Sequence, residues 1–478
     1  MSGPRVIIVG AGPAGVRCAE ELVAAGIRPT VIDEGRRDGG QIYRRQPEHF
    51  KRGYATLYGA QAQRAQALHR SFDGLRTQID YRADTLAWNI WERELHVVKD
   101  DASQRLPFDA LVICAGATDR LMPLKGWDLA GTYSVGAAQI ALKGQACAIG
   151  RQVVFLGTGP LLYLVAIQYL KAGVKIGAVL DTACLRDQVA AFSRLVVRPT
   201  LLLDGLSYIY ALRSAGVPLL SGVQPMEITG TAENGVQGIV VREAGGRTRR
   251  FDCDAVAMGY HLRPETQLAD LARCDFQFDS ATRQWFPVAG LDGRSSVPGI
   301  YLAGDGVRIL GADGAENAGR LAAMSVLQDL GLAVAQERQT QLHKQQTRME
   351  TFRRGLMRAF PWPYQQAAAL PDTAVVCRCE GITAGELRRT VCEMGAAESN
   401  RAKAFSRVGM GRCQGRYCGQ AGAEVIAAAA GVAIETVGRL RTQAPVKPLS
   451  ISTREVKSAA QSTAKSTAKS AADSEAQS

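Results

Sequence analysis

The sequence predicts an α/β fold with two dinucleotide-binding domains of the Rossmann type, followed by a small α-rich domain. A short apolar strand, a glycine loop and a helix follow one another over residues 5–26, and a similar succession begins at Val153. Near the other end, four closely spaced cysteines stand out between residues 377 and 418. The 478-residue chain is long enough for two or three domains of ordinary size.

The first glycine loop follows the β-branched run Val6–Val9, which is typical of a buried strand. The spacing of its glycines suits a bound dinucleotide, because they allow a tight turn, a close approach to pyrophosphate and close helix packing. The following helix directs its N-terminal N–H groups and positive dipole end toward the phosphates. The expected contacts in and after the loop are Gly10, Gly12, Pro13, Ala14 and Gly15.

An acid is expected to hold the adenosine ribose of this dinucleotide. The strand at residues 29–32 ends in Asp33 and Glu34, about 20 residues after the loop, where such an acid belongs. A paired glycine at Gly40, followed by Gln41, gives a turn that can approach a flavin. Two later strands are expected to end beside the same cofactor, at Ala115, Gly116, Gly304 and Asp305.

The second glycine loop, at Gly157 and Gly159, departs from the pattern. Leu162 occupies the third glycine position, where its bulk should push the helix away and crowd the pyrophosphate. Asp181 ends the next strand, as a ribose-binding acid would. Two interpretations stay open: a nicotinamide nucleotide, NAD(P), binds here, or the fold is retained without its ligand.

The four cysteines form a Cys-x-Cys pair and a Cys-x4-Cys pair, the strongest motif in the chain. Four thiolates satisfy a 2Fe–2S cluster, and the surrounding glycines let backbone N–H groups reach the sulfurs. A structural zinc site is the rival, although the Cys-x-Cys pair is tight for zinc. The expected ligands are Cys377, Cys379, Cys413 and Cys418.

Composition narrows the class of protein and its partners. The net charge is +12, but the basic residues are spread out and lack interleaved aromatics, so we expect no nucleic acid and favour an acidic protein partner. No uninterrupted apolar run is long enough for a membrane span, and no signal peptide is evident. We therefore expect a cytoplasmic protein, peripheral to the inner membrane at most through partners.

These patterns predict five parts of the chain. Residues 334–372 are predicted to be a polar connector made of a solvated helix and a proline turn at 360–364, and the tail is predicted to be disordered. The predicted parts are a discontinuous dinucleotide-binding domain (1–120 and 285–333), which the resemblance described below implies binds FAD, a second Rossmann half (121–284), the connector, a 2Fe–2S domain (373–445) and the tail (450–478).

Taken together, the motifs VGAGPAG, GGQIYRRQ, CAGATDR, GTGPLLYLVA, YLAGDG, VVCRCE and GMGRCQGRYCG span nearly the whole chain. In this order they resemble the FAD/NAD-linked α subunits of heteromeric, dye-linked amino-acid dehydrogenases: the opine oxidase, proline and D-hydroxyproline dehydrogenase and hydrogen cyanide synthase type. The two nucleotide domains look like the disulfide-oxidoreductase fold. The C-terminal domain resembles bacterioferritin-associated-ferredoxin-like (BFD-like) 2Fe–2S domains.

The resemblance implies an α subunit that does not itself oxidise the amino acid. A β subunit, which would be a flavoprotein similar to D-amino-acid oxidase, would do so, with FMN between the subunits and a small third subunit. It also implies that Gly10, Gly12, Gly15 and Asp33 bind FAD, that Asp305 contacts the flavin, and that the four cysteines hold the cluster. Many FAD proteins have Glu where Asp33 stands, so Glu34 is an alternative ribose ligand.

Three functions follow from these expectations. The first is an electron-transfer subunit that passes electrons from a partner flavin to an acceptor. The second is a stand-alone NAD(P)H-dependent flavin reductase that feeds electrons through the cluster, and the third is a non-catalytic docking module. We assign no catalytic residue, because no His or carboxylate pair is placed as a substrate acid or base and no Cys-x-x-Cys lies near the flavin motifs.

Overall fold

The computed structural model describes residues 3–50 and 52–456. Its strands are β1 (Val6–Val9), β2 (Thr30–Ile32), β3 (Asp80–Arg82), β4 (Leu86–Trp91), β5 (Glu94–Lys99), β6 (Ala102–Pro107), β7 (Ala110–Ile113), β8 (Ala117–Asp119), β9 (Thr132–Ser134), β10 (Gln152–Thr158), β11 (Lys175–Asp181), β12 (Leu219–Ser221), β13 (Gln224–Thr231), β14 (Gly235–Arg242), β15 (Thr248–Asp252), β16 (Ala255–Tyr260), β17 (Leu262–Pro264), β18 (Phe276–Asp279), β19 (Gln284–Pro287), β20 (Ile300–Leu302), β21 (Val375–Cys377), β22 (Ile382–Thr383) and β23 (Arg454–Glu455).

Its helices are α1 (Pro13–Ala24), α2 (Tyr54–Tyr58), α3 (Ala62–Leu75), α4 (Val135–Gly144), α5 (Pro160–Lys171), α6 (Leu185–Leu195), α7 (Pro199–Ser214), α8 (Gln267–Leu271), α9 (Gly311–Asp329), α10 (Gln336–Ala359), α11 (Gln365–Ala368), α12 (Ala384–Met394), α13 (Ser399–Ser406), α14 (Gly419–Ala430) and α15 (Ile434–Val437). Among the described residues, none of these helices combines the length and apolar character required to cross a bilayer.

Two parallel five-stranded sheets form the frame of the molecule. The first has the order β20-β7-β1-β2-β3 and the second the order β12-β11-β10-β16-β9. Strands β1 and β10 are central in their sheets and buried, and each leads into a glycine loop and a helix. Because the loops leave the carboxyl ends of central parallel strands, both lie where nucleotides bind in this class of fold. The predicted α/β class with two Rossmann-type halves is confirmed.

Smaller sheets cover the frame. Strands β4–β6 form the antiparallel meander, to which β23 adds as a parallel neighbour, and β13–β15 form an antiparallel sheet beside the second half. The pairing of Arg454 with Ala102 shows that the prediction of a disordered tail from residue 450 is wrong for its first residues. The backbone hydrogen bonds of β6 order this stretch, and residues 457–478 lie outside the described residues.

The chain returns to the first half earlier than the predicted boundary at residue 284. Leu268, Ala269 and Cys274 are buried in one core with Ile7 and Leu111 of the first sheet. Helix α8 therefore belongs to the first half by its packing.

Most of the connector helix α10 is exposed or half-buried, as its polar sequence predicts, but the proline turn after it is buried at Trp362. Trp362 is only 6% exposed, its ring lies 3.7 Å from the Arg120 guanidinium, and its indole N–H donates to Glu424 at 3.0 Å. The predicted proline turn is therefore a buried junction between the second half and the C-terminal domain. That domain also shares a core with the second half, and the Trp127 indole N–H donates to the carbonyl of Val375.

Candidate functional site

The first glycine loop has the geometry that its spacing predicts. Gly10 has a φ of +103°, and a Cβ there would lie 2.4 Å from the carbonyl oxygen of Cys114. A Cβ on Gly15 would lie 1.8 Å from the carbonyl oxygen of Gly10, so only glycine allows α1 to pack this close to β1. These two glycines build the loop itself.

Gly12 differs, because it faces an opening instead of the protein. It has ordinary extended backbone angles and precedes α1, whose N-terminus lacks a side-chain cap. A Cβ there would meet nothing closer than the Cα of Gly40, at 3.6 Å. The predicted Gly40 thus lies across the opening from Gly12, while Gln41 is exposed at its edge. Uncapped N–H groups beside a space that a side chain would fill fit the pyrophosphate of FAD.

Asp33 has a role that the sequence did not reveal. Its two carboxylate oxygens accept hydrogen bonds from the backbone N–H groups of Ala11, at 2.5 Å, and Gly35, at 2.6 Å. Burial raises the pKa of Asp33, and these two N–H groups oppose that shift. Asp33 therefore holds the glycine loop in place. Neighbouring Glu34 is exposed and forms an ion pair with Lys447.

The other predicted flavin contacts converge on the same opening. The turn Gly304–Gly306 approaches α1, where a Cβ on Gly304 would lie 3.0 Å from that of Ala14. A Cβ on Gly306 would lie 3.3 Å from the carbonyl oxygen of Gly116, the residue after Ala115 at the end of β7. The strand ends, the turn and the helix N-terminus thus surround one space.

Asp305 supplies a carboxylate to this space. Its Oδ1 accepts hydrogen bonds from the N–H groups of Leu310, at 3.0 Å, and Gly311, at 3.1 Å. Within the described residues its Oδ2 accepts none, which leaves it available to a hydroxyl of the cofactor. Burial raises the pKa of Asp305 to about 6, so a donor to this carboxylate would stabilise its charged form.

The second glycine loop is closed by its own surroundings. A Cβ on Gly157 would lie 1.7 Å from the carbonyl oxygen of Gly259, which explains this glycine by strand packing alone. The imidazole of His261 lies over Gly159, about where a pyrophosphate would approach, and is bonded to the carbonyl oxygen of Phe360 at 2.6 Å. Leu162 is buried in the core of this half. Side chains and backbone of this half therefore lie close around both glycines of the loop.

Asp181, the acidic residue at the end of β11 in the second half, already has hydrogen-bond partners within the protein. Asp181 is completely buried, and it accepts hydrogen bonds from the Tyr163 hydroxyl, at 2.8 Å, and from the N–H of Ala183, at 2.8 Å. Burial raises its pKa to about 6. A ribose hydroxyl would have to displace the buried tyrosine, so this carboxylate offers no open ligand position.

The four predicted cluster ligands lie together in the C-terminal domain. Cys377 ends β21, Cys418 directly precedes α14, and the other two lie in the turns beside them. The Cys418 thiol lies next to the sulfurs of Cys377 and Cys413, and the Cys379 thiol lies next to that of Cys413. A Cβ on Gly411 would lie 2.2 Å from that of Cys379, so this glycine lets the two turns meet.

The surroundings lower the pKa of two of the four thiols, Cys377 and Cys413, and raise the pKa of Cys379 and Cys418. The Cys418 thiol and the N–H groups of Tyr417 and Gly415 lower the pKa of Cys413 to about 5, although burial opposes them. The Cys418 thiol and nearby backbone N–H groups, Gly409 among them, lower the pKa of Cys377 to about 6. Within residues 3–50 and 52–456, no three His, Cys, Asp or Glu side chains converge on a position for a single metal ion. Four contacting thiols with backbone N–H donors fit a 2Fe–2S cluster, whose two irons share the four ligands.

A buried ion pair joins the cluster loop to the first half. The Arg416 guanidinium contacts the Glu265 carboxylate at 2.7 Å, with side chains only 9% and 14% exposed, and it donates to the carbonyl oxygen of Cys413 at 3.2 Å. The N–H of Glu265 donates to the carbonyl oxygen of Gly116 at 3.0 Å. The Gln267 amide fixes the same loop by donating to the carbonyl oxygen of Gln414 at 2.9 Å. The cluster site is thus held beside the flavin-side strand end.

Glu265→Gln is expected to destabilise the folded protein by about 3–5 kcal/mol, because Arg416 would remain buried without its partner charge. Thermal unfolding followed by circular dichroism measures this loss. The matched control is Glu227→Gln, which removes the exposed pair with Lys125 and should change stability by less than about 1 kcal/mol. Equal effects of the two variants would show that the Glu265–Arg416 pair does not hold the junction.

The sequence offered few signals for these supporting residues. Arg416 stands inside the Cys-x4-Cys motif and could have been noticed there, whereas nothing around Glu265, Trp362 or Tyr163 marks them. Each acts through a contact with a residue far away in the chain.

Comparisons with known proteins agree with this geometry. Residues 4–323 match the family model "Pyridine nucleotide-disulphide oxidoreductase", and residues 375–428 match "BFD-like [2Fe-2S] binding domain". The A subunit of opine oxidase from Rhizobium meliloti is 36% identical, over 94% of this chain and 86% of the relative. The HcnB subunit of hydrogen cyanide synthase from Pseudomonas aeruginosa is 32% identical, over 94% of this chain and 97% of the relative.

A solved structure shares the fold over nearly the whole chain. The crystal structure of L-proline dehydrogenase from P. horikoshii superposes with a TM-score of 0.69, covering 94% of this chain and 78% of that one. At 18% sequence identity, this similarity concerns the fold alone.

Proposed function

The chain belongs to the pyridine nucleotide-disulphide oxidoreductase family, with the A subunit of opine oxidase and HcnB as relatives, and on that premise we propose that it is the electron-transfer subunit of a heteromeric amino-acid dehydrogenase. It is an oxidoreductase subunit with FAD and a 2Fe–2S cluster as cofactors. In the proposal, electrons come from the flavin of a catalytic β subunit similar to D-amino-acid oxidase and leave to an acceptor. The substrate is an opine, D-hydroxyproline or proline.

The observation that carries this proposal is the fixed junction between the two cofactor sites. Glu265 bonds to the strand end at Gly116 and, through Arg416, to the cluster loop at Cys413. Electron transfer between two centres requires that they come close together, and a fixed junction keeps them so. The buried charges and shared core of the C-terminal domain support such a fixed arrangement.

In the proposal, different residues around the opening at the first glycine loop bind different parts of FAD. In the proposal, Gly12 and the N-terminus of α1 receive the pyrophosphate, Asp33 or Glu34 the ribose, and Asp305 a hydroxyl near the flavin. Gly40, Gln41, Ala115, Gly116 and Gly304 line the space without bulk. When bound, FAD accepts electron pairs and the cluster, held by the four cysteines, transfers single electrons.

The closed second loop supports the relay over a stand-alone NAD(P)H reductase. His261 covers Gly159, and the Tyr163 hydroxyl is hydrogen-bonded to the Asp181 carboxylate, so neither expected nucleotide contact is open. We therefore propose that this half is a structural platform for the connector and the cluster domain. FMN between subunits and a small third subunit remain part of the proposal, as does a cytoplasmic location peripheral to the inner membrane.

NADH and NADPH are expected not to reduce the bound flavin. With the purified protein under anaerobic conditions, a tenfold excess of either nucleotide should leave the visible flavin absorption unchanged over minutes, whereas dithionite should bleach it. Rapid bleaching by either nucleotide would favour the reductase and contradict the closed second site.

The decisive experiment compares the chain alone with the assembled complex. The purified chain should not oxidise an opine, proline or D-hydroxyproline with an artificial dye, whereas the complex with its flavoprotein subunit should. Full activity of the isolated chain would overturn the relay proposal.

A further inference from the structure

Helices α6 and α7 expose an apolar surface that no part of the described chain covers. The surface, called the apolar patch below, consists of Leu185, Val189, Phe192, Leu203, Leu206 and Tyr210. Each of these side chains is more than half exposed, up to 75% for Tyr210. Monomeric proteins rarely expose contiguous apolar surfaces of this kind unless they bind something.

The spacing along each helix shows that the exposure is organised. The patch residues recur three or four positions apart within α6 and within α7, so on each helix they form one stripe. The joining residues Val196 and Val197 are exposed as well, which continues the surface between the two helices. The inward side of α6 is separate, because Ala191 and Leu195 pack against α10.

Helix α7 has more apolar surface than its own fold uses. It carries only two charged residues, Asp204 and Arg213, yet its sole fully buried residue is Leu212. A helix that is apolar on most sides is normally covered on most sides. Internal packing therefore does not explain the composition of α7, whereas an external partner does.

The charges around the apolar patch indicate what kind of partner fits. Arg186, Arg194 and Arg213 are exposed, and none of them forms a salt bridge within the described residues. Helix α10, which packs beside α6, carries exposed Arg358 as well as exposed Arg354, which pairs with Glu350. An apolar centre with an arginine rim is typical of protein interfaces and complements an apolar face with an acidic rim.

A second copy of this chain is the poorer occupant. In a symmetric dimer the patch would meet itself and bring the same arginines face to face. The net charge of +12 adds to that repulsion. A partner of different sequence avoids it, and the relatives from opine oxidase and hydrogen cyanide synthase are, by name, subunits.

We propose that the apolar patch is the docking surface for the catalytic flavoprotein subunit, whose contact face is apolar with an acidic rim. This inference rests on the proposed function, since it assumes that such a subunit exists. It adds where that subunit sits: on the second Rossmann half, whose own nucleotide site is closed. The second half would then serve as an assembly platform.

The test is a double variant of the full chain, Phe192→Glu with Tyr210→Glu, co-purified with the D-amino-acid-oxidase-like flavoprotein of its own organism. We expect affinity for that subunit to fall at least about 100-fold, because buried aromatics are common hot spots and the new charges meet an acidic rim. FAD content, iron content and melting temperature should stay unchanged, since both side chains are exposed. The matched control is Trp91→Glu, which alters a 54% exposed aromatic on the meander and should leave affinity unchanged.

Three other results would overturn the inference and separate it from the proposed function. Unchanged affinity of the double variant, with a dye-active complex, would discard the patch and keep the electron-transfer function. A dimer of the chain alone that the variant dissociates would assign the patch to a second copy. Binding of the chain to phosphatidylcholine–phosphatidylglycerol vesicles, lost in the variant, would assign it to lipid. If the unmodified chain bound no flavoprotein subunit, the proposed function would fail and the inference with it.

Discussion

Replacing Cys413 with serine is expected to remove the iron–sulfur cluster and to lower acceptor reduction by the complex at least about 100-fold, with FAD still bound. The expected size of this loss follows from the surroundings of the Cys413 sulfur. Cys413 lies next to Cys418, Cys379 and the backbone N–H groups of Tyr417 and Gly415, which lower its pKa to about 5 although burial opposes them. Since changes outside the ligand shell already cost about 10- to 100-fold in metal affinity, the loss of a ligand should cost more. Iron and sulfide analysis and the visible spectrum measure the result.

The control for this variant is Cys392→Ser, in the same domain. Cys392 lies in α12 and is exposed, so its replacement should leave iron content and activity unchanged. Loss of FAD together with iron in Cys413→Ser would mean that the two cofactor sites do not fold independently. Full iron content in that variant would remove Cys413 from the ligand set.

Local pattern was sufficient to predict most of the fold. The runs ending at Val9 and Leu156 are apolar and β-branched, and glycines follow at spacings that few other folds require, so strand, loop and helix are fixed within about fifteen residues. The capping box at Thr383 and Glu386 likewise marks the start of α12, where the structure places it. Such features depend only on neighbours in sequence.

The residues that the sequence did not reveal act over long separations. Trp362 in a polar, proline-containing segment gave no sign that it would lie between Arg120 and Glu424. Tyr163 and Asp181 are ordinary in a helix and at a strand end, and only their contact shows that the second site is closed. Side-chain pairing between distant segments depends on the packing of whole domains, which local periodicity does not encode.

Asp33 likewise shows that local sequence does not predict the hydrogen-bond partners of a side chain. Its position after β2 predicted a carboxylate at the nucleotide site, and the structure places it against the glycine loop. Its hydrogen bonds to Ala11 and Gly35, however, make it part of the loop's own support. The position of an acid can be read from spacing, whereas the partner of each oxygen cannot.

Gly12→Val is expected to fold normally and to lose FAD, with affinity reduced by more than about 100-fold, or about 2.7 kcal/mol. Gly12 has extended backbone angles that valine adopts readily, and its Cβ would be in ordinary van der Waals contact with the Cα of Gly40, at 3.6 Å. The added side chain would instead fill the opening beside Gly40 and keep the pyrophosphate from the N-terminus of α1. The FAD-to-protein ratio after purification measures the loss, and circular dichroism verifies the fold.

Two comparisons make this test specific to the opening. Gly74→Ala, at a helical position with no neighbour within 4 Å, should retain FAD and stability. Gly15→Val should instead fail to fold, because its Cβ would lie 1.8 Å from the carbonyl oxygen of Gly10. A folded Gly12→Val protein with a full complement of FAD would show that the pyrophosphate does not approach Gly12, and the first site would have to be relocated. Because packing within the protein forbids a Cβ at Gly10 and Gly15 but tolerates one at Gly12, a folded Gly12→Val protein without FAD would assign this glycine to the ligand.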